Sequence, residues 1–442
     1  IQKGNNLFHS FKEFSIPTGG EAIFDNSTDV VNIINRVTGG NISNIDGLIK
    51  ANGNANLFLI NPAGIVFEEN ARLDIGGSFL GSTAESILFE DGFNYSAIVS
   101  EQAPLLSVSV PLGLQMGSNP RNITVKGSGH NINAADPVFS SYVVEQPNSE
   151  LKVETGTIAL VGGDITVEGG VLSAESGRID LTAIGNNQSS PPFVNLSNTS
   201  GGWSVDSVDL QQLGDISLTQ ESLIDASGTG SIQLQGRNIS FRDGSMRLNQ
   251  NTTSAAAGDI TIRAAEVLQL DGMSTNGEIR TGLENQTIAT GNAGGIQVIA
   301  SDVIINDGAA IFARSFSSGT TGDIVVNASG KIQVKGFSLL DPGFNANSGI
   351  GTLAFDRPVL RLTDKGAVSV RNEGAGNAGN LEINADSIFL NQEGEITAFT
   401  TTGTGGNIFI NLQDSLIMGR SSLINTESLS TGNGGNITIN SP

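Results

Sequence analysis

Residues 406–434 read GNIFINLQDSLIMGRSSLINTESLSTGNG, and the way their apolar side chains alternate decides the fold. Every second residue from Ile408 is aliphatic through NIFINLQ, and SLIMG and SLINTES follow before the Gly/Ser/Thr loop LSTGNG closes the unit. A period of two belongs to half-buried strands, so the unit predicts three short strands separated by turns. The preceding copy has the same grammar: NLEINAD, SIFLNQ, EITAFT, then TTGTG. Its opening phrase recurs as GSIQL at Gly230, GDITI at Gly258, GGIQV at Gly294, GDIVV at Gly322, GNLEI at Gly379, GNIFI at Gly406 and GNITI at Gly435. The first aliphatics are Ile232, Ile260, Ile296, Ile324, Leu381, Ile408 and Ile437, and their numbers differ successively by 28, 36, 28, 57, 27 and 29. Self-similarity at this period indicates a solenoid. The interval of 57 reads as two periods, with GTLAF, anchored at Leu353, as the missing copy. The interval of 36 reads as one period plus an insertion, placed in the Thr- and Asn-rich segment 285–292.

The architecture that satisfies this pattern is all-β, a three-faced parallel β-helix. Each anchor and the residue two further on point inward and stack on their equivalents one coil away, at the inter-strand spacing of about 4.8 Å. A helical solenoid would need a spacing of 3.6 and would tolerate Gly and β-branched residues poorly. Asn327, Asn384, Asn411 and Asn440 all fall three residues after an anchor, which predicts an Asn ladder along the sheet. Residues 155–184 follow the same grammar, with shorter coils of roughly 14 residues expected there. Residues 185–204, with Pro191, Pro192 and the only tryptophan, Trp203, read as a loop or an excursion from the helix.

Composition narrows the function. The 442 residues carry 22 Lys plus Arg against 44 Asp plus Glu, a net charge of −22. Such a field repels the nucleic-acid backbone and anionic lipid. The absence of cysteine suits a chain that must cross membranes as an unfolded thread, since a disulfide would close an obstructing loop. No apolar run reaches the length of a membrane-spanning helix. A chain opening at Ile1 is expected to have lost a signal peptide, and one stopping in mid-repeat at Pro442 to continue further.

The segment NLFLINPAGIVF, residues 56–67, is the one stretch whose spelling could be an address. Asn61 before Pro62 is biased to an extended or turn conformation, and Pro62 pre-sets φ for the turn. Gly64 then tolerates a positive φ, so the segment reads as strand, tight turn, strand.

Around this turn, the run from Asn5 to Ala84 resembles the N-terminal secretion domain of filamentous-haemagglutinin-like exoproteins, the TpsA-type partner in two-partner secretion. The matching blocks are LFHSFKEFSI from Leu7, RVTGGNISNIDGLIKANGNANLFLINPAGI from Arg36 and LDIGGSF from Leu73. The second holds the family's Asn-Pro-Asn-Gly turn as Asn61-Pro62-Ala63-Gly64, with Ala63 in place of the second Asn. A further family motif, Asn-Pro-Asn-Leu, has no counterpart, and DNSTDVVNII lies roughly where it would fall. The resemblance implies a right-handed β-helix with an N-terminal cap and extra-helical strands. It also implies export through the periplasm and outer membrane to the cell surface or medium, with recognition by the periplasmic receptor domains of a TpsB-type outer-membrane barrel transporter. Phe8, Phe11 and Phe14 are expected to cap the open end of the core, which a solenoid needs.

On this reading residues 1–115 form the secretion domain and 116–204 an irregular continuation with an inserted loop near 185–204. The remainder, 205–442, forms a shaft of repeats of about 28 residues serving adhesion or surface-layer assembly. The shaft is expected to be monomeric and to meet an extracellular ligand or cell surface through its Gly/Ser/Thr loops. Chemistry fares worse. The two histidines, His9 and His130, and the lack of cysteine exclude Cys-His nucleophiles and Cys/His zinc sites. The rival is a polysaccharide lyase or hydrolase, which needs clustered carboxylates. The candidates Asp164, Asp180 and Asp215 sit at turn positions that Asp favours for its own reasons. No cofactor is expected. GGDITVEGG at residues 162–170 lacks the tandem calcium nonapeptide, leaving only weak calcium binding on an acidic surface.

Overall fold

The computed structural model describes residues 1–98, 106–134, 141–145, 150–187, 189–199, 202–206, 209, 212–340, 344–347, 349–354, 376–429 and 432–442. Side chains are not described at 338–347 and 352–354. The described chain is all-β, without an α-helix. It divides into two compact units, Ile1–Gly129, Pro147–Leu218 and Gln233–Ile239 forming one, and His130–Gln146, Thr219–Ile232 and Ser240–Pro442 the other.

In the first unit the strands recur in a cycle of three. Strand Asn32–Val37 is followed by Ser43–Ile45 and Leu48–Ala51, and the next turn of chain repeats the cycle with Asn56–Ile60, Ile65–Phe67 and Arg72–Asp74. Each strand pairs in parallel with its equivalent: Ile33 with Leu57, Ser43 with Ile65 and Leu48 with Arg72. Inward side chains stack in register, and Ile33, Leu57, Phe79 and Ile158 are all at most 1% exposed. Each such buried apolar side chain stabilises the fold by roughly 2 kcal/mol relative to exposure.

The second unit shows why the repeat phrase recurs. Ile260, Ile296, Ile324, Leu381 and Ile408 stand in one parallel register, as do Ile262, Val298, Val326, Ile383 and Ile410 two residues on. All ten are at most 1% exposed, the period-two pattern expressed as two inward columns.

Three details of the periodicity differ from the sequence reading. The long interval from Ile324 to Leu381 is a single coil, because these two residues pair directly. The supposed missing copy around Leu353 lies in strand Gly349–Ala354, which joins a different stack, between Ala310–Ser315 and Glu395–Thr400. Every strand of a coil carries a similar alternating pattern, so pattern alone does not say which stack a strand enters. Part of the excess is a hairpin, Phe337–Leu340 with Phe344–Asn347. The insertion in the coil from Ile260 to Ile296 is not at 285–292, since Gly282–Thr287 is a regular strand in register with Met246–Asn251. It lies chiefly between Asp271 and Gly282, where residues 272–281 form a turn closed by a bridge from Met273 to Arg280. Finally, Thr157 stands opposite Arg178 and Gly162 opposite Ala183, so that coil is longer than the short one expected there.

Excursions from the first unit's stacks build a separate antiparallel sheet. Ser86–Phe89 pairs with Asn94–Ser96 and Pro111–Gln115, and Phe193–Thr199 pairs with Pro111–Gln115 and Gly202–Val205. The segment read as a loop or excursion at 185–204 thus supplies strands to this sheet. The sheet covers the outward column Phe8, Ile34, Phe58 and Leu80, and Trp203 meets Phe58 edge-on at 5.4 Å. Strand Asn56–Ile60 is therefore buried on both faces, which accounts for its unbroken apolar run.

Candidate functional site

The turn at Asn61–Gly64 joins strands Asn56–Ile60 and Ile65–Phe67, which belong to successive stacks and do not pair with each other. It is a coil corner. Asn61 is fully buried, and its amide is used three ways. Nδ2 donates to the Asn41 carbonyl at 3.0 Å and to Ser43 Oγ at 2.9 Å, while Oδ1 accepts the Ala63 N–H at 2.9 Å. The Gly64 N–H closes the turn on the Asn61 carbonyl at 3.1 Å, and the Asn61 N–H bonds the Ser82 carbonyl one coil on. Gly64 has φ +121°, which strains any side chain. Pro62 and Ala63 are half-buried, and Ile42, next to Gly64, is 50% exposed. No ionisable group belongs to the turn. What it offers outward is a small apolar knob on a rigid bracket, suited to shape recognition rather than catalysis.

The three phenylalanines do not act together. Phe8 and Phe11 lie three apart in strand Asn6–Phe11, and a period of two sends them to opposite faces. Phe8 packs under the antiparallel sheet, with ring centres 5.8 Å from Phe89 and 5.0 Å from Tyr95. Burial pushes the Tyr95 hydroxyl up to about 12, and that hydroxyl donates to the His9 carbonyl at 2.8 Å. Phe11 and Phe14 pack with His9 and Phe24 instead, on the first coil. Phe11 and Phe14 thus form one aromatic group with His9 and Phe24, while Phe8 fastens the first coil to the antiparallel sheet. The strand's own edge is met by Gln2–Lys3, which pairs antiparallel with it.

Residues 1–234, more than half of the chain, match the family model of the TPS secretion domain. The chain belongs to the TPS secretion domain family. It carries the TpsA-type N-terminal domain of a two-partner secretion exoprotein, and proteins of this family are exported across the outer membrane to the cell surface or the medium. The HMW1 secretion domain from Haemophilus influenzae, a solved structure, has the same fold: 16% identity, a TM-score of 0.56, and coverage of 99% of this chain and 96% of that one. No curated protein matches the chain. The family match extends well beyond Ala84, where the motif resemblance stops, and the TPS domain takes in both the corner turn and the antiparallel sheet.

Within the second unit, the Asn residues three beyond Ile324, Leu381, Ile408 and Ile437 are joined by side-chain bonds of 2.8 Å. Asn384 Nδ2 donates to Asn327 Oδ1, Asn411 to Asn384, and Asn440 to Asn411. A second series is hidden in the sequence. The residue before these anchors is Asp or Asn, and its Oδ1 accepts the equivalent backbone N–H one coil on. Asp323 accepts from Asn380 at 2.7 Å, Asn380 from Asn407 at 3.1 Å and Asn407 from Asn436 at 3.0 Å. Its signal lies in the phrases GDI and GNI, where Asp and Asn register first as turn formers. The TPS domain has its own ladder, in which Asn32 donates to Asn6 Oδ1 at 2.9 Å and Asn56 to Asn32 Oδ1 at 3.0 Å.

The three aspartates raised as catalytic candidates have structural partners. Asp164 Oδ1 accepts the Asp215 N–H at 2.9 Å, and Asp215 Oδ1 accepts the Asn238 N–H at 3.1 Å, the same corner device. Burial pushes the Asp215 carboxyl up, but bonds from Arg237 and Asn238 outweigh it and hold the group below its ordinary value. Asp180 is fully buried beside Arg178 at 2.8 Å and accepts the Val205 N–H. Among the described residues no cluster of three metal-ligating side chains occurs.

Proposed function

We propose that the TPS domain is the export signal of this exoprotein, read in the periplasm by the receptor domains of a TpsB-type outer-membrane transporter through the corner turn Asn61–Gly64. The family match over residues 1–234 carries this reading. The buried Asn61 bracket supports it locally, because it presents Pro62 and Ala63 in one fixed geometry. The coils wind as a right-handed, three-faced helix, and the repeats of 205–442 serve as a monomeric shaft for adhesion or surface-layer assembly. Coil-by-coil templating outside the cell would favour outward movement of the thread. No observation favours the lyase or hydrolase reading, since its candidate carboxylates are occupied in corners and ion pairs.

Export tests the assignment. With the cognate transporter present, Pro62→Ala and Asn61→Ala should leave the chain in the periplasm. Thermal melts of the purified variants separate misfolding from lost recognition. Normal export of both Pro62→Ala and Asn61→Ala would sink a specific role for the turn.

A further inference from the structure

Residues His130–Gln146 belong to the second unit although the sequence on either side of them belongs to the first. Strands Asn131–Asn133 and Val143–Glu145 pair antiparallel as a hairpin. Its first end is fastened at His130. The His130 N–H bonds the Glu221 carbonyl at 2.8 Å, its Nε2 meets the Gly244 carbonyl at 3.0 Å, and its Nδ1 accepts the Ile132 N–H at 3.3 Å. These partners fix the neutral tautomer protonated at Nε2.

Its other end is fastened at Tyr142, 2% exposed. The Tyr142 carbonyl accepts Gln250 Nε2 at 2.7 Å, and the Arg314 guanidinium lies 4.8 Å from the ring centre. Gln250, Gln286 and Arg314 stand in one register across strands Met246–Asn251, Gly282–Thr287 and Ala310–Ser315. Arg314 pairs with Glu284, and both are at most 5% exposed in their side chains. Burial opposes the charge on Arg314, but Glu284 beside it prevails and holds the guanidinium above its ordinary value.

We propose that this hairpin is a late-closing clasp, able to seat only after the coils out to Ser315 have formed beneath it. Tyr142 precedes Gln250 by 108 positions, so the hairpin is made long before the surface it covers. The composition of that surface fits the order of events. An apolar column would stand exposed until the clasp arrived and invite association, whereas Gln, Glu and Arg stay hydrated while they wait. Once Tyr142 covers them, desolvation offsets much of the Coulomb attraction of the Glu284–Arg314 pair, so it adds little net stability.

Hydrogen exchange on the full chain tests the proposal. In Tyr142→Ala, exchange should rise about tenfold or more in 246–251, 282–287 and 310–315, and stay within about threefold of the parent in 157–162 and 178–183. Tyr142→Phe keeps the ring over Arg314 and should raise exchange less than Tyr142→Ala does. Unchanged exchange in the three covered strands, or an equal rise in both units, would overturn the clasp. Pulse-labelled refolding of the unmodified chain gives an independent reading, free of any variant that fails to fold. Protection at 131–133 and 143–145 should follow protection at 246–315, and the reverse order would refute late closure.

Discussion

At Asn61 a buried amide fixes a geometry that the apolar spelling of residues 56–67 conceals. The sequence makes a turn there legible, because Pro62 and Gly64 restrict and permit the required φ values. It does not reveal that the turn is a corner between stacks, or that the amide reaches Asn41 and Ser43, since those partners are set by the coil that precedes it. At Ala63 the backbone N–H is the group that the bracket uses, accepted by Asn61 Oδ1. His130 gives a prediction at this scale. Burial lowers its basicity below the ordinary 6.5. Between the lowered folded value and 6.5 the unfolded chain binds more protons, so stability is highest above pH 6.5 and falls as pH drops through that window. Melting followed from about pH 7.5 to about pH 5 should show the loss, and His130→Gln should reduce it, leaving the share due to His9, whose basicity burial also lowers. An unchanged pH profile in that variant would assign the acid sensitivity elsewhere.

Among the elements, the ladders explain how parallel strands are held in register. A slip of one residue would turn every inward aliphatic outward and break each Asn–Asn bond at once. Asn384 lies inside its ladder, bonded to Asn327 and Asn411, whereas Asn440 makes a single described ladder bond, to Asn411. Asn384→Ala should therefore cost about 1–3 kcal/mol in denaturant unfolding, and Asn440→Ala less than about 1 kcal/mol. Equal costs would show that the amides do not cooperate along the column. The ladder positions were legible because they recur at a fixed offset from the anchors. The positions of insertions were not, because a regular strand rich in polar residues, such as Gly282–Thr287, looks like a loop until its register with neighbouring coils is known.

Over the whole molecule, a net charge of −22 imposes self-repulsion that folding must overcome. Raising the ionic strength from about 0.01 M to about 0.15 M shortens the screening length and should raise the melting temperature. A flat or falling response would mean that local partners, such as the Arg237–Asp215 ion pair, already neutralise the repulsion. The absence of cysteine is compatible with the export that the TPS domain implies.

The sequence by itself determined the parallel β-helical grammar, the anchor columns and the kinship with exported proteins. These depend on local alternation, turn residues and ordered motifs, all of which are written along the chain. Only the tertiary structure decided which stack each strand joins, that Phe8 and Phe11 part company, and that Tyr142 ends against Arg314. Those outcomes depend on pairings between residues far apart in the chain, where many strands of similar pattern compete for the same places. Burial of the inward faces and the side-chain ladders between coils together select among them.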